Sequence, residues 1–121
     1  MAEIVDVTEE AFEDAVLAPE ELVVVNFWGP QCPWCKRLDP VYEELAEAFG
    51  DRVRFAKLNV AENPGVTTHW GIMGTPTLKF FCQGREVHEV VGFRPQDQLR
   101  QELERALEEA EACLEQSTPL A

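Results

Sequence analysis

The sequence predicts an α/β protein with a mixed central sheet flanked by helices on both faces. Two largely apolar runs, "LVVVNF" at 22–27 and "VRFAKLNV" at 53–60, have the composition of strands that are covered on both faces. Strand and helix patterns alternate along the chain, as in parallel β-α-β units. Near the end, two strand patterns are joined through Gln83 and Gly84, which favours an antiparallel hairpin.

The first half of the chain contains three strands and two helices. "EIVDV" at 3–7 is a short strand, and Thr8 is placed to cap a helix with glutamates in its first turn. The apolar run at 22–27 follows as the second strand. The next helix ends at Gly50, before the third strand, and its apolar residues recur every three or four positions: Cys35, Leu38, Tyr42, Leu45 and Phe49.

The second half completes the order β-α-β-α-β-α-β-β-α. "ENPGVTTHWGI" at 62–72 is a turn with at most a short helix, and the hairpin strands are "TPTLKFFC" at 75–82 and "EVHEVVGF" at 86–93. Pro95 starts the last helix, whose glutamate-rich face continues into an acidic extension and a frayed tail at about 110–121. The opposite face is apolar and consists of Leu99, Leu103, Ala106, Leu107, Ala110 and Leu114.

Length and charge limit the functions that this chain can perform. Its 121 residues fit one domain, 1–121, that can bury a core without staples. The formal net charge of −13 would repel phosphate backbones and anionic lipid, so neither nucleic acid nor membrane is an expected partner. The acidic segment "MAEIVDVTEE" has neither the basic nor the apolar part of a signal peptide. We therefore expect a cytoplasmic protein, whose thiols stay reduced unless they are catalytic or bind metal.

Cys32 and Cys35 lie at the junction between the second strand and the following helix. Cys32 is therefore near the helix N-cap, where unpaired backbone N–H groups and the helix dipole stabilise thiolate, the nucleophilic form. Cys35 lies one turn further along on the apolar face, so it is more buried and ionises less readily. This asymmetry suits dithiol exchange, in which Cys32 attacks a substrate disulfide and Cys35 resolves the mixed disulfide.

Two other interpretations of the cysteine pair are weaker. Structural zinc sites normally use two close Cys/His pairs, and because no second close pair follows, no metal is expected. A structural disulfide across so short a loop would restrict the unfolded chain little, and a reducing compartment disfavours it. The remaining cysteines, Cys82 at a strand end and Cys113 off the apolar face of the last helix, are expected to be unremarkable thiols.

Four segments resemble the thioredoxin family in order and spacing. They are "VVVNFWGPQCPWCK", "AKLNVAENPG", "GIMGTPTLKFF" and "VVGF", and the resemblance covers about residues 3–109. It implies the thioredoxin fold, with Trp28 as an indole shelf beside the cysteines and Pro76 as a cis-proline facing Cys32. It also implies that the backbone of Thr75 pairs with an extended substrate. The docking surface around Cys32 would be completed by Gly74, Gly92 and Phe93.

The residues between the cysteines differ from the Gly-Pro that is usual in that family. Pro33 at the first helical position costs little, because its missing N–H is one of the unpaired donors at a helix start. Trp34 keeps an N–H that could reach the sulfur of Cys32, and a hydrogen bond to a charged group is worth roughly 1.5–3 kcal/mol. Both residues would border the substrate. We expect a more oxidising pair than in ordinary thioredoxin, nearer to dithiol glutaredoxins, which share the Cys-Pro-x-Cys order.

Two further departures concern the surroundings of the sulfurs. Asn26 replaces a buried aspartate that in the family handles the proton of the resolving cysteine and pairs with a lysine equivalent to Lys57. Either a neutral Lys57 or an ordered water takes over that role, or Asn26 is a hydrogen-bonded core residue without a catalytic part. Thr75 replaces the usual isoleucine. Its hydroxyl either donates to the Cys32 thiolate or merely belongs to a β-branched residue at a strand edge.

The resemblance implies a thiol–disulfide oxidoreductase that acts as a protein-disulfide reductase without metal or organic cofactor. Its redox centre would be the Cys32–Cys35 disulfide, its electron donor a flavin-dependent thioredoxin reductase, and the chain would be a monomer. Two alternatives stay open: a glutaredoxin-like or isomerase-like oxidoreductase, and a binding module that uses the same fold with incidental cysteines. Unchanged activity after Cys32→Ser would favour the binding module.

Overall fold

The computed structural model describes the backbone of residues 3–117 and the side chains of residues 3–113. Five strands form one mixed sheet in the order β1-β3-β2-β4-β5. The strands are β1 Ile4–Asp6, β2 Leu22–Trp28, β3 Val53–Asn59, β4 Thr77–Cys82 and β5 Arg85–Val91. The α-helices are α1 Pro33–Phe49, α2 Pro64–His69 and α3 Gln96–Ser117. The expected frayed tail includes residues 118–121, which lie outside the described residues.

Strand β2 lies at the centre of the sheet, parallel to β3 and antiparallel to β4. Its side chains alternate between two apolar clusters, so both faces are covered, as the apolar run predicts. One face, with Val24, packs against α1 and α3. The other face, with Val25 and Phe27, packs against Phe12 and Trp70. Burying each such side chain contributes roughly 1.5–3 kcal/mol, which fixes the carboxyl end of β2 beside the start of α1.

Tyr42 holds α1 on the sheet. Its hydroxyl lies 2.6 Å from the carbonyl oxygen of Ala56 in β3 and 3.2 Å from that of Val24 in β2. Burial raises the pKa of Tyr42 well above its usual range, so the hydroxyl stays protonated and available as a donor. Because α1 starts close after β2, this contact also helps to set the position of the helix N-terminus.

Strands β4 and β5 form the predicted hairpin. Gln83 and Gly84 both have positive φ angles, 51° and 84°, as the two central residues of a tight hairpin turn require. Across the two strands the buried Lys79 ammonium lies 2.8 Å from a carboxylate oxygen of Glu86 and 2.8 Å from one of Glu89. The buried charge is therefore paired with two carboxylates on the edge strand.

The segment before β2 differs from the prediction. In place of a helix capped by Thr8 there is a single π-helical turn, Glu13–Leu17, which has no side-chain cap. The Glu9 carboxylate instead accepts a hydrogen bond from the backbone N–H of Val66 at 2.9 Å, and the Glu9 N–H donates to the side-chain oxygen of Asn63 at 2.9 Å. These contacts tie the residues after Thr8 to the start of α2, so the helix is confined to the short stretch that remains.

Helix α3 presents its predicted apolar face to the sheet, with Leu99, Leu103, Ala106 and Ala110 buried and Leu107 partly buried. The side chain of Leu114, also expected on this face, lies outside the described residues. The placement of Cys113 off that face is wrong. Its side chain is only 3% exposed and belongs to the same core cluster, because it follows Ala110 by three positions and so shares its face. No helix in the described part of the chain is both long and apolar enough to cross a membrane.

Candidate active site

Cys32 occupies the N-cap of α1, as predicted. Its backbone is extended, and its sulfur accepts a hydrogen bond from the backbone N–H of Cys35 at 3.1 Å. The two cysteines are joined by a disulfide, with their Cα atoms 5.2 Å apart. Cys32 is 9% exposed and Cys35 is 3% exposed, so Cys32 is the sulfur that a substrate can approach. After reduction, the same N–H and the positive end of α1 would stabilise a thiolate on Cys32.

The hydrogen-bond donor to Cys32 is not the one expected from the sequence. The prediction named the N–H of Trp34, whereas the described donor is the N–H of Cys35, one residue further along. A side chain at the N-cap can reach either the second or the third helical N–H, and here it reaches the third. This donor would be present whichever residues stand between the cysteines, so it does not distinguish this chain from one with Gly-Pro there. Pro33 does lie at the start of the helix, as predicted.

Three of the predicted docking residues form the loop before β4, residues 74–76, which we call the docking loop, whereas Gly92 and Phe93 lie directly after β5. The Thr75–Pro76 peptide bond is cis, as the resemblance implies. The Thr77 hydroxyl donates to the carbonyl oxygen of Gly74 at 2.7 Å, and the N–H of Gly92 donates to that of Pro76 at 2.7 Å. These bonds hold the loop against the end of β5. Gly92 has a φ of 88°, a conformation that favours glycine.

Gly29 lies between this loop and Cys32, although the sequence patterns do not single it out. A Cβ atom on Gly29 would lie 3.6 Å from the hydroxyl oxygen of Thr75 and 4.0 Å from the Cβ of Cys32. Thr75 and Cys32 therefore approach the same glycine, and a Cβ atom there would make van der Waals contact with both. The signal that could have found this residue is a glycine where a buried strand gives way to the cysteine motif.

Asn26 and Lys57 are neighbours on β2 and β3, where they are register partners. Asn26 is fully buried, and neither polar atom of its amide has a hydrogen-bond partner among the residues that the structure describes. Within the same residues, the buried indole N–H of Trp28 also has none. The Lys57 ammonium lies 5.6 Å from the centroid of the Trp28 ring, a cation–π distance. The described contacts therefore do not support Asn26 as a hydrogen-bonded core residue.

Trp34 contributes an aromatic surface next to the cysteines. Its side chain is 52% exposed, and its ring centroid lies 5.5 Å from that of Phe93. The guanidinium of Arg37, one turn further along α1, lies 5.1 Å from the centroid of the Trp34 ring. Met73, just before the docking loop, is 96% exposed. The sequence analysis does not identify Arg37 or Met73. The spacing of three residues between Trp34 and Arg37 on one helix could have indicated that these two side chains are in contact.

A sequence model described as Thioredoxin matches residues 3–105. This chain belongs to the thioredoxin family. The thioredoxin of Alicyclobacillus acidocaldarius subsp. acidocaldarius is 44% identical over 96 residues, which cover 79% of this chain and 90% of that protein. Thioredoxin 1 of Nostoc sp. is 37% identical over 107 residues, which cover 88% of this chain and 100% of that protein.

Comparison with a solved structure also indicates the thioredoxin fold. The crystal structure of Malassezia sympodialis thioredoxin superposes with a TM-score of 0.79 at 28% identity, over 88% of this chain and 93% of the other. The predicted thioredoxin fold is confirmed. Family membership and the Cys32–Cys35 disulfide together identify this thioredoxin-family protein as a thiol–disulfide oxidoreductase, which reduces protein disulfides by dithiol–disulfide exchange.

Proposed function

We propose that this protein is a monomeric cytoplasmic reductase that carries electrons from a flavin-dependent thioredoxin reductase to protein disulfides, and so contributes to cell redox homeostasis. The observation that carries the proposal is the disulfide between Cys32 at a helix N-cap and the more buried Cys35. The reaction needs no metal or organic cofactor, because the two electrons of each turnover are held by the sulfurs themselves.

The reaction consists of two exchanges. The Cys32 thiolate attacks one sulfur of the substrate disulfide, forms a mixed disulfide and displaces the other substrate sulfur as a thiolate, which takes up a proton. The Cys35 thiolate then attacks the sulfur of Cys32, closes the Cys32–Cys35 bond and releases the second substrate sulfur. One disulfide is formed for each disulfide broken, and two electrons pass to the substrate. The reductase then restores the dithiol.

The substrate chain lies along the loop before β4 in an extended conformation. The backbone of Thr75 pairs with it as with an added strand, while Pro76 offers no N–H to that ladder. Glycines at the site let the substrate backbone approach Cys32 closely. The substrate side chains meet a border of rings: Trp28, Pro33, Trp34 and Phe93. The glycines that allow the close approach of the substrate backbone are Gly74 and Gly92.

Deprotonation of Cys35 uses a group other than residue 26. The Asn26 amide cannot take up a proton, so the proton leaves to water. Lys57 is the register partner of Asn26, and because β2 and β3 are parallel, its charge lies towards the same end of the sheet as the cysteines. That positive charge favours the thiolate over the thiol during the second exchange.

We propose further that the Cys32–Cys35 pair is more oxidising than that of ordinary thioredoxin. A neutral Asn26 removes a buried negative charge that would oppose a thiolate, and it leaves Lys57 without that partner. The Thr75 hydroxyl, close to the same glycine as Cys32, is a further donor for the thiolate. Both features favour the reduced form. The Trp34 N–H is not part of this support, since the described hydrogen bond comes from Cys35.

Insulin reduction tests the proposed electron donor. The assay couples the protein to NADPH through thioredoxin reductase, and in parallel to glutathione through glutathione reductase. We expect faster turnover with thioredoxin reductase, and loss of both activities in the matched Cys32→Ser variant. Full insulin reduction by that variant would instead support a binding module with incidental cysteines.

A glutaredoxin-like or isomerase-like role is the second candidate, because the Cys-Pro-x-Cys order at residues 32–35 is the arrangement of dithiol glutaredoxins. Faster turnover with glutathione than with thioredoxin reductase in the same assay would favour the glutaredoxin-like role. Efficient refolding of a scrambled disulfide protein would favour the isomerase.

A further inference from the structure

Cys82 and Cys113, 31 positions apart in the sequence, meet in the core between the sheet and α3. Cys82 is the last residue of β4 and is fully buried, and Cys113 on α3 is almost as buried. The Cys113 thiol donates to the carbonyl oxygen of Cys82 at 3.5 Å, and the Cys82 thiol donates to that of Ala110 at 3.8 Å. Each thiol therefore reaches the backbone of the other's element.

The two thiols also act on each other. Burial raises the pKa of Cys82 to about 12. A hydrogen bond with Cys113 and repulsion from the Cys113 thiolate add to the rise, and the positive charge of Arg85 opposes it. Within the described part of the chain, no group of three or more His, Cys, Asp or Glu side chains is arranged to hold a metal ion. Two thiols that share a hydrogen bond in the folded chain are candidates for oxidation to a disulfide.

This pair of thiols is remote from Cys32 and Cys35. Strand β4 begins directly after Pro76, in the docking loop, and ends at Cys82. At the ordinary rise of a strand the two ends of β4 are about 17 Å apart. The active-site sulfurs therefore cannot oxidise Cys82 within the same molecule, and the oxidant must come from solution.

We propose that Cys82 and Cys113 form a second disulfide by exchange with a low-molecular-weight disulfide such as glutathione disulfide. The Cys113 thiolate attacks one sulfur of the reagent, forms a mixed disulfide and releases one thiol. The Cys82 thiolate then attacks the Cys113 sulfur, closes the protein disulfide and releases the second thiol. Two protein thiols are oxidised, one small disulfide is reduced, and the two protons leave on the released thiols.

The position of Cys113 near a helix end sets the order of these steps, and the burial of both thiols sets their rate. Cys113 reacts first because it lies on the last turns of α3, and local opening of a helix end costs less free energy than global unfolding. The exchange is slower than oxidation of Cys32 and Cys35, since both thiols must be exposed before they react. The resulting bond joins α3 to the end of β4 and closes a loop of 31 positions, which restricts the unfolded chain.

Peptide mapping of the unsubstituted protein tests the proposal. Reduced protein is incubated with excess glutathione disulfide, treated with N-ethylmaleimide in denaturant and digested without reduction. We expect a cross-linked peptide that joins Cys82 to Cys113, formed later than the Cys32–Cys35 link and lost on treatment with dithiothreitol. Recovery of Cys82 and Cys113 as maleimide adducts, after prolonged incubation in which Cys32 and Cys35 are fully oxidised, would overturn the proposal.

Thermal unfolding tests the restraint that the bond imposes. In a Cys32→Ser/Cys35→Ser protein, oxidation should raise Tm by roughly 5–15 °C, because the second disulfide closes a long loop. Adding Cys113→Ala should abolish the shift. If the Cys32→Ser/Cys35→Ser protein formed the cross-link but its Tm stayed unchanged, the disulfide would not stabilise the fold as proposed. If a variant fails to fold, the mapping of the natural chain still decides whether the disulfide forms.

Discussion

The ring of Trp34 lies 5.5 Å from the ring of Phe93, centroid to centroid, and so joins the first turn of α1 to the segment after β5. The contact gives the face beside Cys32 a broad aromatic surface, with Arg37 on the same indole. Aromatic side chains that are half exposed and held in place are typical of binding surfaces. We therefore propose that this pair contributes to substrate affinity.

Replacing Trp34 by alanine should weaken substrate binding more than chemistry. Trp34→Ala removes the ring that Phe93 and Arg37 contact. We expect KM for insulin to rise roughly three- to tenfold with kcat within about a factor of two. The matched Trp34→Phe variant keeps an aromatic ring and should retain most of the affinity. Steady-state kinetics with insulin would contradict this role if KM were the same in all three proteins.

The reduction potential of the Cys32–Cys35 pair should be less negative than the roughly −270 mV of thioredoxin and nearer to about −200 to −230 mV. The physical reason is that the neutral Asn26, the Lys57 charge and the Thr75 hydroxyl all favour the thiolate of the reduced form. Equilibration in glutathione redox buffers measures the potential. A value at or below that of thioredoxin would show that these residues do not tune the pair.

Asn26→Asp should lower both stability and potential. Burial at this position raises the pKa of the new carboxyl above its value in the unfolded chain. Near neutral pH the folded state then binds more protons than the unfolded state, so the free energy of unfolding falls as pH rises past the unfolded pKa. We expect a lower Tm at pH 8, a more negative potential and faster insulin turnover, because the carboxylate accepts the Cys35 proton.

Asn26→Leu is the control for that experiment. Leucine has the same number of side-chain heavy atoms and the same branching but no ionisable group, and it removes an amide for which the described residues offer no hydrogen bond. This variant should be at least as stable as the natural protein and should show no added pH dependence. If Asn26→Asp lost stability without any change in potential or turnover, Asn26 would have only a packing role.

Alkylation of the reduced protein should distinguish the cysteines. Cys32 should react with iodoacetamide first, because it combines the greater exposure with a hydrogen-bond donor and a helix N-terminus. Cys82 should be among the last, since burial raises its pKa to about 12. Mass mapping of a time course at neutral pH measures the order. Labelling of Cys82 or Cys113 before Cys32 would refute the assignment of the nucleophile.

Tyr42→Phe should destabilise the protein most at neutral pH. The variant loses a hydroxyl that donates to the carbonyl groups of Ala56 and Val24, which should cost roughly 1–3 kcal/mol. The folded-state pKa of Tyr42 is raised above the ordinary value of 10.0. In the natural protein the contribution of this group is therefore complete below that value and falls as pH rises past it.

The difference between the two proteins should accordingly shrink at high pH. Urea unfolding at pH 7 and at about pH 11 measures it, and the other groups that titrate in this range are common to both proteins. Tyr42 is the single tyrosine of the chain, so the absorbance of tyrosinate reports its ionisation directly. A difference that stayed constant between the two pH values would mean that Tyr42 ionises equally in both states.

Strong local signals explain why the sheet, the hairpin and the position of Cys32 at the helix start could be predicted. Buried strands have long apolar runs, and a cysteine between a strand and the helix that follows it is expected at the helix N-cap. The prediction of a helix directly after Thr8 is wrong because Glu9 forms hydrogen bonds with Asn63 and Val66, which are far away in the sequence. The meeting of Cys82 with Cys113 likewise depends on how α3 lies on the sheet. Such long-range contacts leave no periodic pattern in the sequence.

The two borders of the sheet bear on how the protein avoids unwanted association. At one border β1 is only three residues long. At the other, β5 carries the glutamates that pair with Lys79, and the pairing with β4 is irregular between Phe80 and Phe81. Short, charged or irregular edges discourage a neighbouring molecule from extending the sheet. Both borders are therefore poor templates for strand pairing with a second copy of this chain.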